Sequence, residues 1–166
     1  QEANGNENYI KSLDLLDQSK VTAVLSQLNI AQNGVSADDL YYGSKLPFAY
    51  NYVDKNTDVT HDNDTQSEHG SHVAGIAAAN KYVPQTDGDE TTYVSALDTV
   101  KTQGVAPEAQ LLVMKVFGTN GGAYDSDYMA AIEDAIVLGA DSINLSLGSS
   151  YPGPSKYTAY MDADTD

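Results

Sequence analysis

Glu68-His69-Gly70-Ser71-His72-Val73-Ala74-Gly75-Ile76 sets two imidazoles three residues apart at the head of a run of small side chains. That spacing puts His69 and His72 on roughly one face of a helix. Ala74, Gly75, Ala77, Ala78 and Ala79 would let such a helix lie very close to a neighbouring element. The stretch reads as a reactive imidazole mounted at the start of a tightly buried helix.

Working downstream, residues 111–117 form a nearly continuous apolar run, as expected of a strand buried on both faces. A glycine-rich loop follows at residues 118–123. Asp125 or Ser126 is placed to cap the next helix, with Met129, Ile132 and Ile136 marking its buried face and Gly139 its end. Residues 142–147 read as a second strand. Strand, loop, helix and strand make one βαβ unit with a right-handed crossover, and the fold class is α/β with a largely parallel sheet.

Upstream, residues 41–53 are rich in aromatics, and Phe48 to Tyr52 alternates as a strand should. Residues 9–31 have helical spacing, with Ser19 as the N-cap that separates two short helices. Residues 32–39 read as a loop around Asn33-Gly34. The connection at residues 54–68 is acidic and polar, and residues 81–103 show no clear period before Tyr93. Residues 1–8 are polar and expected to fray. Pro152, Gly153 and Pro154 break regular structure near the far end, where residues 162–166 look like a cut or frayed terminus.

The chain has 166 residues, 8 basic against 24 acidic side chains and a net charge of -16. A surface so acidic repels nucleic acid, because no basic patch exists to displace counterions. It suits a secreted protein, calcium binding, or the steering of cationic substrates. With no cysteine, disulfides, zinc thiolates and thiol catalysis are excluded. No apolar run approaches the length of a membrane span, and the polar N-terminus is not a signal peptide.

His69-Gly70-Ser71-His72-Val73-Ala74-Gly75, then Gly104-Val105-Ala106-Pro107-Glu108-Ala109, then Ser142-Ile143-Asn144-Leu145-Ser146-Leu147-Gly148 follow one another in that order. Together they resemble the motifs of the subtilisin-like serine peptidases (subtilases), with Ser71 where the family has threonine. The likeness is strongest over residues 46–150. Lys45-Leu46-Pro47-Phe48-Ala49-Tyr50-Asn51-Tyr52 is similar to the cell-envelope branch, which includes lactocepin-like proteinases and the streptococcal complement-factor peptidases.

The resemblance implies that His69 is a general base and that His72 is structural, a buried and hydrogen-bonded ring. It also implies that Ser146, Leu147 and Gly148 line the primary specificity pocket, with Gly121, Gly122 and Ala123 as the opposing edge. An extended peptide would lie between the two edges by strand addition. Position agrees, since open α/β sheets bind ligands at the carboxyl ends of their strands. A zinc site from His69 and His72 lacks both the i, i+4 spacing and the glutamate such a site needs. His61 reads as a loop residue.

Amide hydrolysis by a serine enzyme also needs a nucleophile, a carboxylate behind the imidazole and oxyanion donors. The family's Asp-Thr-Gly, Gly-Thr-Ser-Met-Ala-Pro and Ala-Gly-Asn motifs are all missing. Asp14, Asp17, Asp38 and Asp39 lack the right setting, and Asn144 belongs to the wrong strand to be the oxyanion asparagine. No metal ligand is assigned and no cofactor is required. Calcium is left open by Asp62, Asp64 and Glu68 and by Asp87, Asp89 and Glu90, although the EF-hand pattern fails.

The expectation is that residues 1–166 are an internal segment of one peptidase catalytic domain, inactive alone. The rest of that domain would be its partner, and a protein or peptide in extended conformation its substrate. The parent would be extracellular, secreted or wall-anchored in a Gram-positive-like envelope. Two other readings stay open. One is a non-catalytic peptide-binding module derived from a subtilase, and the other is an acidic calcium-binding or interaction protein.

Overall fold

The computed structural model of the chain describes residues 14–62 and 68–147. Asp17, not Ser19, opens helix α1 (Gln18–Val24), its carboxylate accepting from the Lys20 amide at 2.9 Å. The Ser19 hydroxyl instead donates to the same carboxylate at 2.6 Å. An ionised acceptor caps free N–H groups well, so the aspartate takes the position. The chain continues through two 3-10 turns, Leu25–Gln27 and Asn29–Asn33, and Gly34 ends the second. Residues 32–39, expected as a loop, hold a further short helix, α2 (Ala37–Leu40). Ser36 and Asp39 form a reciprocal capping box there, a signal that a four-residue helix cannot reinforce with periodicity.

Strand β1 (Phe48–Asn51) is buried along its whole length, so it does not show the half-exposed alternation expected. It runs parallel to β4 (Leu112–Lys115), with Phe48 opposite Leu112 and Asn51 opposite Lys115. β4 is only half-buried, whereas burial on both faces was expected. The core lies around β1. Val21, Ile30 and Leu40 reach it from the N-terminal helices, and Ala131 and Leu138 from α5 (Asp125–Val137).

Helix α5 buries a different face from the one its large apolar residues suggest. Ala131, Asp134, Ala135 and Leu138 point inward, while Met129 and Ile136 are more than 60% exposed. Small side chains let the helix approach the Asn29–Asn33 turn closely, and Asp134 is held there by three donors. The Asn29 backbone amide lies 2.6 Å from its carboxylate, the Asn29 side-chain amide 3.0 Å and the Tyr52 hydroxyl 3.0 Å. Tyr124, rather than Asp125 or Ser126, is the N-cap. Gly139 ends the helix as expected, with Gly139 donating to Ile136 and Ala140 to Ala135 in the two-bond pattern of a Schellman motif.

Residues 142–147 form no ladder, so the second strand of the expected βαβ unit is not made. Ile143, Leu145 and Leu147 are exposed, and a strand exists only where a neighbour takes up its N–H and C=O groups. The parallel sheet arises instead from β1 and β4. The connection between them contains α3 (His69–Ala78), β2 (Tyr82–Asp87), β3 (Glu90–Ser95) and α4 (Ala96–Thr99).

β2 and β3 pair antiparallel through a two-residue turn, with Asp87 opposite Glu90. Gly88 occupies the first central position at φ 61°, where a type II′ turn favours glycine. This hairpin was hidden in the polar segment. Asp87-Gly88 was its signal, but Thr86, Thr91 and Thr92 on exposed strands leave no apolar alternation to accompany it.

α3 is not tightly buried. Only Ala78 is fully covered, and Ile76 is 69% exposed. The close approach that its small residues permit is confined to its C-terminal end. There the Gly104, Val105 and Ala106 amides donate to the Ala79, Ile76 and Ala77 carbonyls at 2.9, 2.9 and 2.8 Å. These carbonyls belong to the helix end, where intrahelical donors run out. A Cβ at Gly104 would sit 2.3 Å from the Ala79 nitrogen and 2.5 Å from the Ala78 Cα, so no larger residue fits without separating turn from helix. Gly104→Ala should therefore lower stability by about 1–3 kcal/mol, the usual cost of overpacking, read as an earlier urea midpoint at unchanged m-value.

Candidate functional site

The site is built outward from the carboxyl ends of β1 and β4. Asn51, the last residue of β1, is 1% exposed, and its side-chain oxygen accepts from the Val53 and Asp54 amides at 3.2 and 3.0 Å. Its side-chain nitrogen donates to Asp54 at 2.9 Å and to the Asp58 carbonyl at 3.1 Å. The turn after β1 is thus folded around one buried amide, and a backbone pair between Asn51 and Asn56 closes it.

Asp54 then reaches across to the loop after β4. Its carboxylate accepts from the Thr119 amide at 2.9 Å and from the Thr119 hydroxyl at 3.2 Å. These N–H and O–H donors, with the Asn51 amide, favour the ionised form and hold the Asp54 carboxyl below its ordinary value. The loop is closed on itself by Gly118 donating to Gly122 and Gly121 donating to Gly118, both at 2.8 Å. Gly121, Gly122 and Ala123, the predicted substrate edge, lie half-buried on this pinned loop. Sequence reasoning missed Asn51, Asp54 and Thr119. Asn and Asp just past a strand announce a turn, but nothing local announces a bond to a residue 65 positions away.

The other arm leads from β1 to α3, and His69 is that helix's first residue, exposed to solvent. His72 is exposed as well, not the buried ring expected. Among the described residues the imidazole that faces a carboxylate is His61, 4.0 Å from Glu68, with both side chains exposed. Asp17 and Asp39 cap helices, Asp14 pairs with Lys20, and Asp38 accepts from Gln18, so these four carboxylates are engaged in the N-terminal helical region. No three His, Asp or Glu side chains among the described residues are grouped to hold a metal ion.

Residues 144–146 come to lie against α3. Val73, Ile76 and Ala77 from the helix, Val105 from the Gly104 turn, and Asn144 and Ser146 line one shallow groove. Val73 and Ile76 stand four and seven residues after His69, so the groove runs along the helix face that His69 heads. Its walls are mostly apolar, and the Asn144 amide and Ser146 hydroxyl, 3.1 Å apart, form its polar lip. Leu147 is exposed beside it, and Gly148 lies outside the described residues. The groove joins mostly apolar walls to polar groups at one margin, and His69 is accessible on the helix that flanks it.

Comparison with known proteins gives three kinds of result. The model of the Subtilase family matches residues 26–166. The PI-type proteinase of Lactococcus lactis subsp. cremoris is 43% identical over 112 residues, which is 66% of this chain and 5% of that protein. The minor extracellular protease Vpr of Bacillus subtilis (strain 168) is 37% identical over 110 residues, 63% of this chain and 11% of that protein. The C5a peptidase of Streptococcus pyogenes serotype M18 is 42% identical over 83 residues, 49% of this chain and 6% of that protein. The chain therefore spans only a small part of each of these relatives. No solved structure matches it significantly.

The Asp54–Thr119 bond has a pH dependence of known sign. Because the folded-state value lies below the ordinary 3.8, its contribution is complete above that value and is lost as pH falls through the folded one. In NMR spectra the Thr119 amide resonance should shift with a midpoint below 3.8, and Asp54→Asn should abolish the titration.

Proposed function

The chain belongs to the subtilase family, and from that premise we propose that it is the part of a serine endopeptidase catalytic domain that carries the general base and two edges of the substrate cleft. His69 is the base in this reading. It takes the proton from a serine hydroxyl supplied by the rest of the catalytic domain as the hydroxyl attacks the scissile carbonyl. The imidazolium then returns that proton to the leaving amine. A carboxylate, also from the rest of the domain, holds the imidazole's tautomer.

The observation that carries the proposal is the groove in which Asn144 and Ser146 lie against the face of the helix headed by His69. The loop of Gly121, Gly122 and Ala123 leaves the same end of the parallel pair as the connection to His69. Ser146, Leu147 and Gly148 would take one side of an extended peptide and the glycine loop the other. The substrate is then a protein or peptide bound in extended form. The charge of -16 argues against nucleic acid as a partner. We place the parent outside the cell, secreted or wall-anchored, in keeping with a relative named as an extracellular protease. No helix of the described residues is long and apolar enough to cross a membrane. The reaction asks for no cofactor, and calcium would serve only as a stabiliser.

A second reading, a segment that holds peptide without cleaving it, is favoured by one observation. Among the described residues the imidazole set against a carboxylate is that of His61, beside Glu68, and not that of His69.

In the complete protein, His69→Ala should lower kcat on casein by at least about a thousandfold, and an unchanged kcat would overturn the proposal. The isolated 166-residue chain should not hydrolyse casein at all. Hydrolysis by it that His69→Ala removes would refute the assignment of serine and aspartate to other parts of the protein. Peptide affinity unchanged by His69→Ala, with no turnover in the complete protein, would establish the second reading.

A further inference from the structure

We propose that Asp54 is a positioning residue, which holds the substrate edge Gly121-Gly122-Ala123 in register with the arm that carries His69. The inference rests on the peptidase reading above and adds to it a residue that takes no part in the chemistry.

One carboxylate oxygen of Asp54 receives three donors, the Asn51 side-chain amide at 2.9 Å, the Thr119 backbone amide at 2.9 Å and the Thr119 hydroxyl at 3.2 Å. Asn51 is itself fixed, since it is buried, ends β1 and orders the turn through Val53 and Asp54. The carboxylate is therefore held from the β1 side and presents its charge to the loop after β4. Thr119 lies between Gly118 and the residues of the edge, inside the turn that the Gly118–Gly122 and Gly121–Gly118 bonds close. Gly118 fits tightly in the same place. A Cβ there would lie 2.7 Å from the Val53 Cγ1 and 3.1 Å from the Asp54 Oδ1. The loop has close contact on the β1 side and a charged anchor in Asp54, and hydrogen bonds to an ionised acceptor are the strong, short kind.

Lys115 reinforces the same end of the sheet from the other strand. It is the register partner of Asn51, and its ammonium donates to the Thr60 carbonyl at 2.7 Å. Thr60 in turn is ordered by Asp58, whose carboxylate accepts from its amide and hydroxyl at 3.0 and 2.6 Å. The two arms of the cleft are thus cross-tied in both directions, with Asp54 the tie that ends on the substrate edge. A glycine-rich edge has little side-chain packing of its own, so its place is set by whatever anchors its backbone. Loss of the anchor should weaken strand addition by an extended peptide and leave the proton transfer at His69 intact.

The test uses the complete protein and two chromogenic peptides, a long one that spans the glycine edge and a truncated one that does not reach it. With the active fraction set by active-site titration, Asp54→Ala should raise KM for the long peptide about tenfold, the effect expected for loss of a charge-assisted hydrogen bond. KM for the truncated peptide should stay unchanged, as should kcat for both. Asp54→Asn, which keeps an acceptor for the Thr119 amide, should recover part of the loss and serves if the alanine variant does not fold. A purely structural role would lower the active fraction and leave KM as it was, and that outcome overturns the proposal. So does an equal rise in KM for both peptides. His69→Ala run beside it separates the two readings. If that variant is inactive and Asp54→Ala has normal KM, only the positioning role fails, whereas an active His69→Ala removes the peptidase reading itself and the positioning role with it.

Discussion

The parallel pairing of Phe48–Asn51 with Leu112–Lys115 is the constraint from which the rest follows. Parallel neighbours cannot be joined by a tight turn, because the chain must travel back to the end from which it started. Here the return occupies residues 52–111 and carries the histidine helix, the hairpin and the turn at Gly104. The same geometry sends the chain out of both strands at one edge of the sheet. The segment toward His69 and the loop of Gly121 to Ala123 are neighbours for that reason alone, although they are far apart in sequence. Asn51 tightens the arrangement by spending its buried side chain on the first turn outside the sheet.

Behind the sheet, a single carboxylate joins three regions of the chain. Asp134 has no exposed surface, a costly place for a charge unless donors replace its water. Asn29 provides two and Tyr52 a third, which ties the N-terminal helical region, the end of β1 and α5 to one point. Burial, and then the neighbouring carboxylate, push the Tyr52 hydroxyl far above the ordinary tyrosine range. The upward shift favours the protonated hydroxyl, which donates to Asp134. Replacing such a cluster with apolar groups can leave stability unaltered, but removing one member alone strands the others without partners.

How much of this was legible in the sequence depends on the range of the signal. The motif around His69, the turn at Gly139 and the apolar β4 segment are local patterns, and each is in the fold. The α/β class followed from them, and family membership agrees. The inward face of α5 was misread because size was taken for burial. Ala131 and Ala135 pack closely where Met129 and Ile136 remain outside. The strand expected at residues 142–147 has the right composition, yet a strand needs a neighbour, and composition does not say whether one is beside it. In the proposed site, His69 is read from its motif, and the structure puts it at the head of α3. The bond from Asp54 to Thr119 links residues whose proximity arises only once β1 and β4 have paired, so no window of sequence contains it.

The turn at Gly104 bears on how this protein tolerates change. Three main-chain amides set the end of the histidine helix, and those of Val105 and Ala106 do not depend on the identity of their side chains. Val105 is 88% exposed even though its backbone is fully engaged. Codons for residues 105 and 106 are therefore free to drift among most amino acids while the direction of the helix is kept, with proline, which has no N–H to give, as the exception. The course of the helix that begins at His69 is buffered against most single replacements at residues 105 and 106. The outer surface of the turn can therefore diversify while the end of the helix keeps its place.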